Sequence, residues 1–348
     1  MNEAMGEHDM KKVSALGVAG LAGILFLGTG GTQSNNERIF PLQLEEQIPV
    51  PNVAGRLDHL TADAKRKRLI VSALGNNTVE VIDVFAGKVI RSIQGANEPQ
   101  GPLYVADVDK LYVANAGDGK VNVYDGATYT LRKSIEIGED PDNMRYDPSS
   151  RKVFVGFGEE DGGIATIDPA TDERVGEVFK TGGHPESFQV EASGSHIFVN
   201  VPDADNMVES IDRKTGAVAK WPLKGLRGNY AMALNEQDHR LFVITRKTPM
   251  MVVIGTQTGN EIARLRAAGE CDDVFFDASR KRIYVIGGEG FISVFQQDDP
   301  AHYSLIQNVP SAIGVRTGFW FAKRDRFYVA VPAKANDPAQ IWTYEAED

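Results

Sequence analysis

Apolar positions along this chain fall into one pattern that returns seven times. The segments RLIVSA (68–73), LYVANA (111–116), VFVGFG (153–158), IFVNVP (197–202), LFVITR (241–246), IYVIGG (283–288) and FYVAVP (327–332) are short, nearly unbroken apolar runs. Anchored on Leu69, Leu111, Val153, Ile197, Leu241, Ile283 and Phe327, they are separated by 42, 42, 44, 44, 42 and 44 residues. Runs rich in Val, Ile, Phe and Tyr without alternation suit strands buried on both faces. A period of this length marks a supersecondary unit that covers its faces only by stacking on copies of itself.

Residues 141–180 display the unit. A strand over 143–147 runs into an Asp-Pro-Ser-Ser turn; VFVGFG is the second strand, and EEDGG supplies a tight reversal. IATID (164–168) is the third strand, PATDERV a turn, and VGEVFK (175–180) the fourth. Four short antiparallel strands in each of seven units, with no helical periodicity after residue 35, predict an all-β, seven-bladed β-propeller. The third strands of the first four units end in Asp83, Asp125, Asp168 and Asp212, each expected to accept backbone N–H groups in the following turn. The last unit shows only three strands, near 318–322, 326–331 and 340–344. FPLQLEEQIPV (40–50) looks like the fourth strands of the other units, so an N-terminal strand is expected to complete the last blade and close the ring.

LYVANAGDGKVNVYDGATYTL (111–131) and the IDPAT turn (167–171) resemble the YVTN-repeat, or YncE-like, seven-bladed propellers of exported bacterial proteins. The resemblance covers about residues 55–344. It implies a propeller that binds a ligand or partner in the periplasm or at the cell surface. The motif consists of scaffold residues, so it assigns no functional side chain.

The 348 residues would suit two domains by length, but seven stacked units fill the chain as one. A net charge of −11, with Lys and Arg scattered through turns such as AKRKR (64–68) and SRKR (279–282), argues against a nucleic-acid partner. Lys11-Lys12 before VSALGVAGLAGILFLGTGG (13–31) reads as a secretory signal, or as an anchor if uncleaved. Met10 would open a conventional signal, and cleavage is expected between Gly30 and Asn36. Residues 1–35 are thus assigned to signal or anchor and 36–348 to the propeller. The product is expected to be periplasmic or secreted and monomeric, touching membrane only through that first segment. Its one cysteine, Cys271, forms no internal disulfide, rules out covalent haem attachment and reads as a small buried residue beside Glu270 and Asp272. The chain contains no GxSxG, CxxC, HExxH or P-loop motif.

In a propeller the first strand of each blade lines the central channel, and the loop before it rims one mouth. Those loops are RLDHL (56–60), EPQGP (98–102), DPDNM (140–144), HPESF (184–188), GNYAM (228–232), ECDDV (270–274) and VRTGF (315–319). Asp58, His59, Gln100, Asp142, Asn143, His184, Glu186, Asn229, Tyr230, Asp272, Asp273 and Arg316 are expected to converge on that opening. Of these, His59, Gln100, Asn143, His184, Glu186, Asn229, Tyr230, Asp272, Asp273 and Arg316 are expected to bind a ligand.

Three chemistries fit such a mouth, beside the plain alternative that its polar groups only hydrate it. Asn143, Glu186, Asn229 and Asp272 offer oxygen ligands for Ca²⁺ or Mg²⁺, with His59 and His184 shifting the preference toward Zn²⁺. This resembles in kind the channel metal of the six-bladed gluconolactonase-like propellers. Arg316 with Tyr230 suits an organic anion or a sugar; Trp320 is expected to pack between blades instead. A rim can also grip an envelope protein or cell-wall polymer. The reading drawn is a binding protein for a small ligand or an envelope partner. The alternative is a metal-dependent, lactonase-like hydrolase of lactones or esters. No catalytic residue is assigned; in the hydrolase reading Glu186 or Asp272 would orient the attacking water.

Overall fold

The computed structural model describes residues 40–202, 206–335 and 337–348; the signal or anchor assigned to 1–35 lies outside the described residues. The described residues form seven four-stranded antiparallel sheets. Six are built from consecutive strands, as in the third blade: Met144–Asp147, Lys152–Phe157, Gly163–Asp168 and Glu173–Lys180. The seventh contains Gly318–Phe321, Arg326–Val331 and Ala339–Ala346, and its outer strand is the N-terminal segment Leu42–Val50. That strand pairs antiparallel with Ala339–Ala346, from Leu42 opposite Ala346 to Val50 opposite Ala339. The predicted seven-bladed ring, closed by its N-terminal strand, is the observed architecture.

Burial explains the sequence pattern. A second strand is sandwiched between neighbouring blades and has no free face; in the first blade Leu69, Ile70, Val71, Ser72 and Ala73 are all buried. A fourth strand lies on the outer wall, so in Lys88–Gln94 only Ile93 is buried. The apolar clusters bridge blades. One joins Tyr112 and Val123 of the second blade to Met144, Val153 and Ile167 of the third. Trp320 packs against Tyr284 of the sixth blade and Phe327 of the seventh, as its position suggested. Cys271 is fully buried, and burial pushes its thiol pKa well up, so it is an inert core residue.

Turn chemistry follows the sequence closely. Asp83 accepts the N–H groups of Phe85 and Ala86, Asp125 those of Ala127 and Thr128, Asp168 that of Ala170, and Asp212 those of Lys214 and Thr215. At the end of the channel away from the mouth, charged side chains tie blade to blade. Arg66 reaches Asp109 at 2.5 and 2.8 Å, Lys110 reaches Asp172 at 2.6 Å, and Arg280 reaches Asp325 at 2.7 Å.

Ile48 of the closing strand is 1% exposed and shares a core with Leu69, Val71 and Ile82 of the first blade and Phe321 and Tyr328 of the last. Ile48→Ala is expected to cost about 2–5 kcal/mol, the range for a buried aliphatic truncation. A denaturant midpoint unchanged from the native protein would show that the strand does not hold the ring.

Candidate functional site

The geometry of the mouth comes from one backbone device repeated around the ring. In five of the seven blades the chain just before, or at the start of, the first strand is bonded to the residue three after the anchor of the second strand; the second and fifth blades have a bulge there instead. In the first blade Asp58 N–H donates to Ser72 O (2.8 Å) and Ser72 N–H to His59 O (3.1 Å). The third and fourth blades repeat the pair: Asp142 with Gly156 O (3.0 Å) and Gly156 with Asn143 O (2.9 Å), then Glu186 with Asn200 O (3.0 Å) and Asn200 with Ser187 O (3.0 Å). Ile286 N–H to Asp273 O and Ala330 N–H to Thr317 O carry the same register into the sixth and seventh.

This register sets out a ring of equivalent residues with the spacing of the repeat: Asp58, Gln100, Asp142, Glu186, Tyr230, Asp272 and Arg316. All seven line one cavity of about 170 Å³, joined by Arg56, His59, Asp140, Asn143, His184, Ser187 and Arg246. Every blade therefore contributes to a single site. Gly101 shows how tight the approach is, because a Cβ there would lie 2.3 Å from Asp142 O. Below the mouth the channel opens into a second cavity of about 400 Å³, whose walls include Leu103, Met144, Met232, Phe275 and Phe319. His59 and Asn143 line both cavities and form the boundary between them.

Of the ten residues nominated from sequence, His59, Gln100, Asn143, His184, Glu186, Tyr230, Asp272 and Arg316 line the mouth cavity. Asp273 sits on its inner side, holding His59 Nδ1 at 3.1 Å and accepting Gly318 N–H. Asn229 does not reach the opening: it is fully buried, and its amide donates to Asn200 Oδ1 (3.1 Å) and Met207 O (3.0 Å). A bulge between Asn229 and Ala231 turns Asn229 inward and Tyr230 to the cavity. The oxygen set Asn143, Glu186, Asn229 and Asp272 is thus not gathered around one point, and Asp272 is ion-paired with Arg246. The groupings that the fold does assemble are Asp58, His59 and Asp142, and Asp142, His184 and Glu186, with ligand atoms in each group within 4.8 Å of one another.

Arg246 was missed from sequence because it comes from the far end of a second strand, not from a mouth loop. Its signal lies in the repeat. The equivalent positions hold Leu74, Ala116, Gly158, Pro202, Gly288 and Pro332, so a single arginine stands out among apolar and small residues. Its guanidinium lies 3.6 Å from the Tyr230 ring centroid.

Acids outnumber bases here, and burial sharpens their competition. Arg56 pairs with Asp58 (2.9 Å), Arg246 with Asp272, and Arg316 with Glu270 (3.1 Å). Gln100 donates to Asp140 at 2.8 Å, and His184 Nδ1 donates to Gly158 O at 2.6 Å. Burial opposes protonation of His59, yet Asp273, Asp58 and Asp142 outweigh it and push the imidazole up to about 10. Asp142 is raised to about 6, first by burial and then by Asp58, although His59 pulls the other way. Glu186 is raised to about 8, by burial and the nearby Asp142. Its carboxyl has no hydrogen-bond partner among the described residues.

No protein-family model matches the sequence, and no curated protein matches it either. Solved structures show the fold. A chain of hydrazine synthase from Kuenenia stuttgartiensis superposes with a TM-score of 0.69 at 17% identity, covering 80% of this chain and 94% of that one. A chain of a mitotic checkpoint complex gives 0.73 at 14% identity, covering 94% and 99%. These likenesses agree with the seven-bladed β-propeller and bear on the fold alone.

Two substitutions separate scaffold from site. Asn229→Ala leaves buried partners unsatisfied and is expected to cost about 1–3 kcal/mol. Glu186 behaves oppositely. A carboxyl whose folded pKa of about 8 stands above its ordinary 4.5 holds its proton more tightly when folded, so ionising it costs stability as pH rises through that window. Glu186→Gln is expected to gain stability over the native protein from pH 5 upward, most above pH 8, in denaturant titrations with chelator present. Equal stabilities at about pH 9 would show a freely solvated carboxyl.

Proposed function

We propose that this protein is an exported binding propeller of the YVTN-repeat kind, and that its ligand is a small hydroxy-carboxylate or sugar acid held at the channel mouth. The observation that carries the reading is the convergence of side chains from all seven blades on one 170 Å³ cavity. That volume is below the roughly 300–1,000 Å³ of sites for drug-sized molecules, so it suits a ligand of about ten non-hydrogen atoms or fewer. Among the described residues Arg316 is tied to the half-exposed Glu270, an ion pair of the weak surface kind that can open to let it turn to a carboxylate. Tyr230, backed by Arg246, offers a flat face, while Asp142 and Glu186 are acceptors or donors for hydroxyl groups. The basic and apolar segment before residue 35 supports export to the periplasm or beyond.

A second reading, the metal-dependent hydrolase of lactones or esters, is favoured by one feature: the unpartnered Glu186 carboxyl lining the cavity. It requires turnover that Glu186→Ala abolishes while the protein stays folded. A bare binding site shows no turnover. Envelope proteins and polymers belong to a different surface, and changes confined to the rim at His184-Pro185 would report on them.

Thermal unfolding with a panel of small organic acids, sugars and amines tests the main reading. A hydroxy-carboxylate at about one hundred times its Kd stabilises by about 2.7 kcal/mol and raises Tm by several degrees. Arg316→Ala should remove the shift without changing the Tm of the free protein. A panel without any shift, or a shift that survives Arg316→Ala, would overturn the assignment.

A further inference from the structure

Among the described residues, pairing at the mouth leaves two acids without a hydrogen-bonded base, His59 Nε2 standing 3.8 Å from Asp142 Oδ1. Arg56, Arg246 and Arg316 are matched with Asp58, Asp272 and Glu270, and Asp140 accepts from Gln100. Asp142 and Glu186 remain. Asp142 is 6% exposed and lines the cavity; its Oδ2 accepts from the Asn143 amide (3.3 Å), and its Oδ1 is a buried oxygen with no hydrogen-bond partner among the described residues. Glu186 has no side-chain partner among the described residues. A buried acceptor without a donor is costly, so native proteins rarely leave one orphaned without a reason.

His184 completes the set. One ligand atom each from Asp142, His184 and Glu186 lies within 4.8 Å of the others. His184 Nδ1 donates to Gly158 O at 2.6 Å, which leaves the lone pair of the neutral ring on Nε2. A histidine held at one nitrogen by a backbone carbonyl is the usual arrangement behind a metal ligand, because it fixes the tautomer and the ring plane.

We propose that the mouth binds one divalent transition-metal cation, of the Zn²⁺ or Co²⁺ kind, on Asp142, His184 and Glu186. Ligands about 2.0–2.2 Å from such an ion stand at most about 4.4 Å apart, so small side-chain rotations close the observed set. Mixed imidazole and carboxylate donors select this class of ion over Ca²⁺ or Mg²⁺, which take oxygen ligands. The three residues come from adjacent blades, the third and fourth, so the ring geometry alone brings them together. The competing group of Asp58, His59 and Asp142 shares the same carboxylate. There Asp58 is pinned through Oδ1 by Arg56, with its Oδ2 also unpaired, and both His59 nitrogens face carboxylates, Nδ1 that of Asp273 and Nε2 that of Asp142, so this histidine has no free nitrogen for an ion and the group backs the site. Three protein ligands leave a coordination position for a chelating hydroxy-carboxylate. The inference therefore deepens the reading of the mouth as a binding site and rests on it.

The test uses the full chain without a His tag, stripped by chelator and dialysed, and titrated calorimetrically with Zn²⁺ alone. Co²⁺ absorption reports the ligand environment. The expected result is one equivalent of Zn²⁺ per chain and Co²⁺ d–d bands. Binding should weaken at least tenfold in His184→Ala and in Glu186→Gln, and stay unchanged in His302→Ala, which alters a surface histidine. No uptake, or uptake that persists in both site variants, overturns the site. If His184→Ala does not fold, Glu186→Gln decides, since it keeps side-chain shape and removes one anionic ligand. Repeating the organic-acid thermal shift on stripped protein separates the two ideas. A shift without Zn²⁺ uptake overturns the metal site alone, and absence of both overturns the mouth as a binding site.

Discussion

The pairing of Leu42–Val50 with Ala339–Ala346 is the constraint on which the rest depends. Each blade buries its faces only against its neighbours, so an open array would leave two blades with a bare side. Closure by a strand from the opposite end of the chain removes both ends at once, and joins the first and last blades through the core around Ile48. Closure also fixes the diameter of the channel. With the diameter set, the clamp between mouth loops and second strands in five blades, and a bulge in the second and fifth, bring one residue per blade to one opening. The site is a consequence of ring geometry and could not be built by any blade alone.

Scaffold and mouth handle charge in opposite ways. On the far face, Arg66, Lys110 and Arg280 meet carboxylates of the next blade in short ion pairs, and these tie blades together. At the mouth the same residue types are incompletely matched: Asp142 has an orphaned oxygen, Glu186 has no partner, and His59 is held as a cation among three acids. Such mismatch lowers stability and is tolerated where a ligand or ion completes it.

The fold was almost wholly legible in the sequence because its cause is repetitive. Double-sided burial of seven second strands writes seven apolar runs, and the Asx turns at Asp83, Asp125, Asp168 and Asp212 mark where third strands end. The mouth was legible only as far as the repeat register carries. Glu186, Asp272 and Arg316 fall at the same step and reach the same cavity. Asn229 did not follow, because the repeat step in the fifth blade falls on Tyr230, and Asn229, one residue earlier, pairs with Thr245 at the edge of a bulge and is buried against Asn200 and Met207. Asp142 was seen as a mouth residue but passed over as a ligand, since nothing in sequence reveals that its neighbours leave an oxygen unpaired. Which acids are already satisfied is a property of side chains from several blades, and only the folded ring displays it.

The most direct measurement is a crystal structure of the full chain purified from its own cells without chelator, at a resolution that separates water from heavier or larger groups. The expected result is non-water density in the mouth, bonded to Asp142 and Glu186 and within reach of Arg316. A mouth filled only by ordered water, with Asp142 and Glu186 satisfied by it, would contradict the account and reduce the opening to the hydrated end of a structural channel.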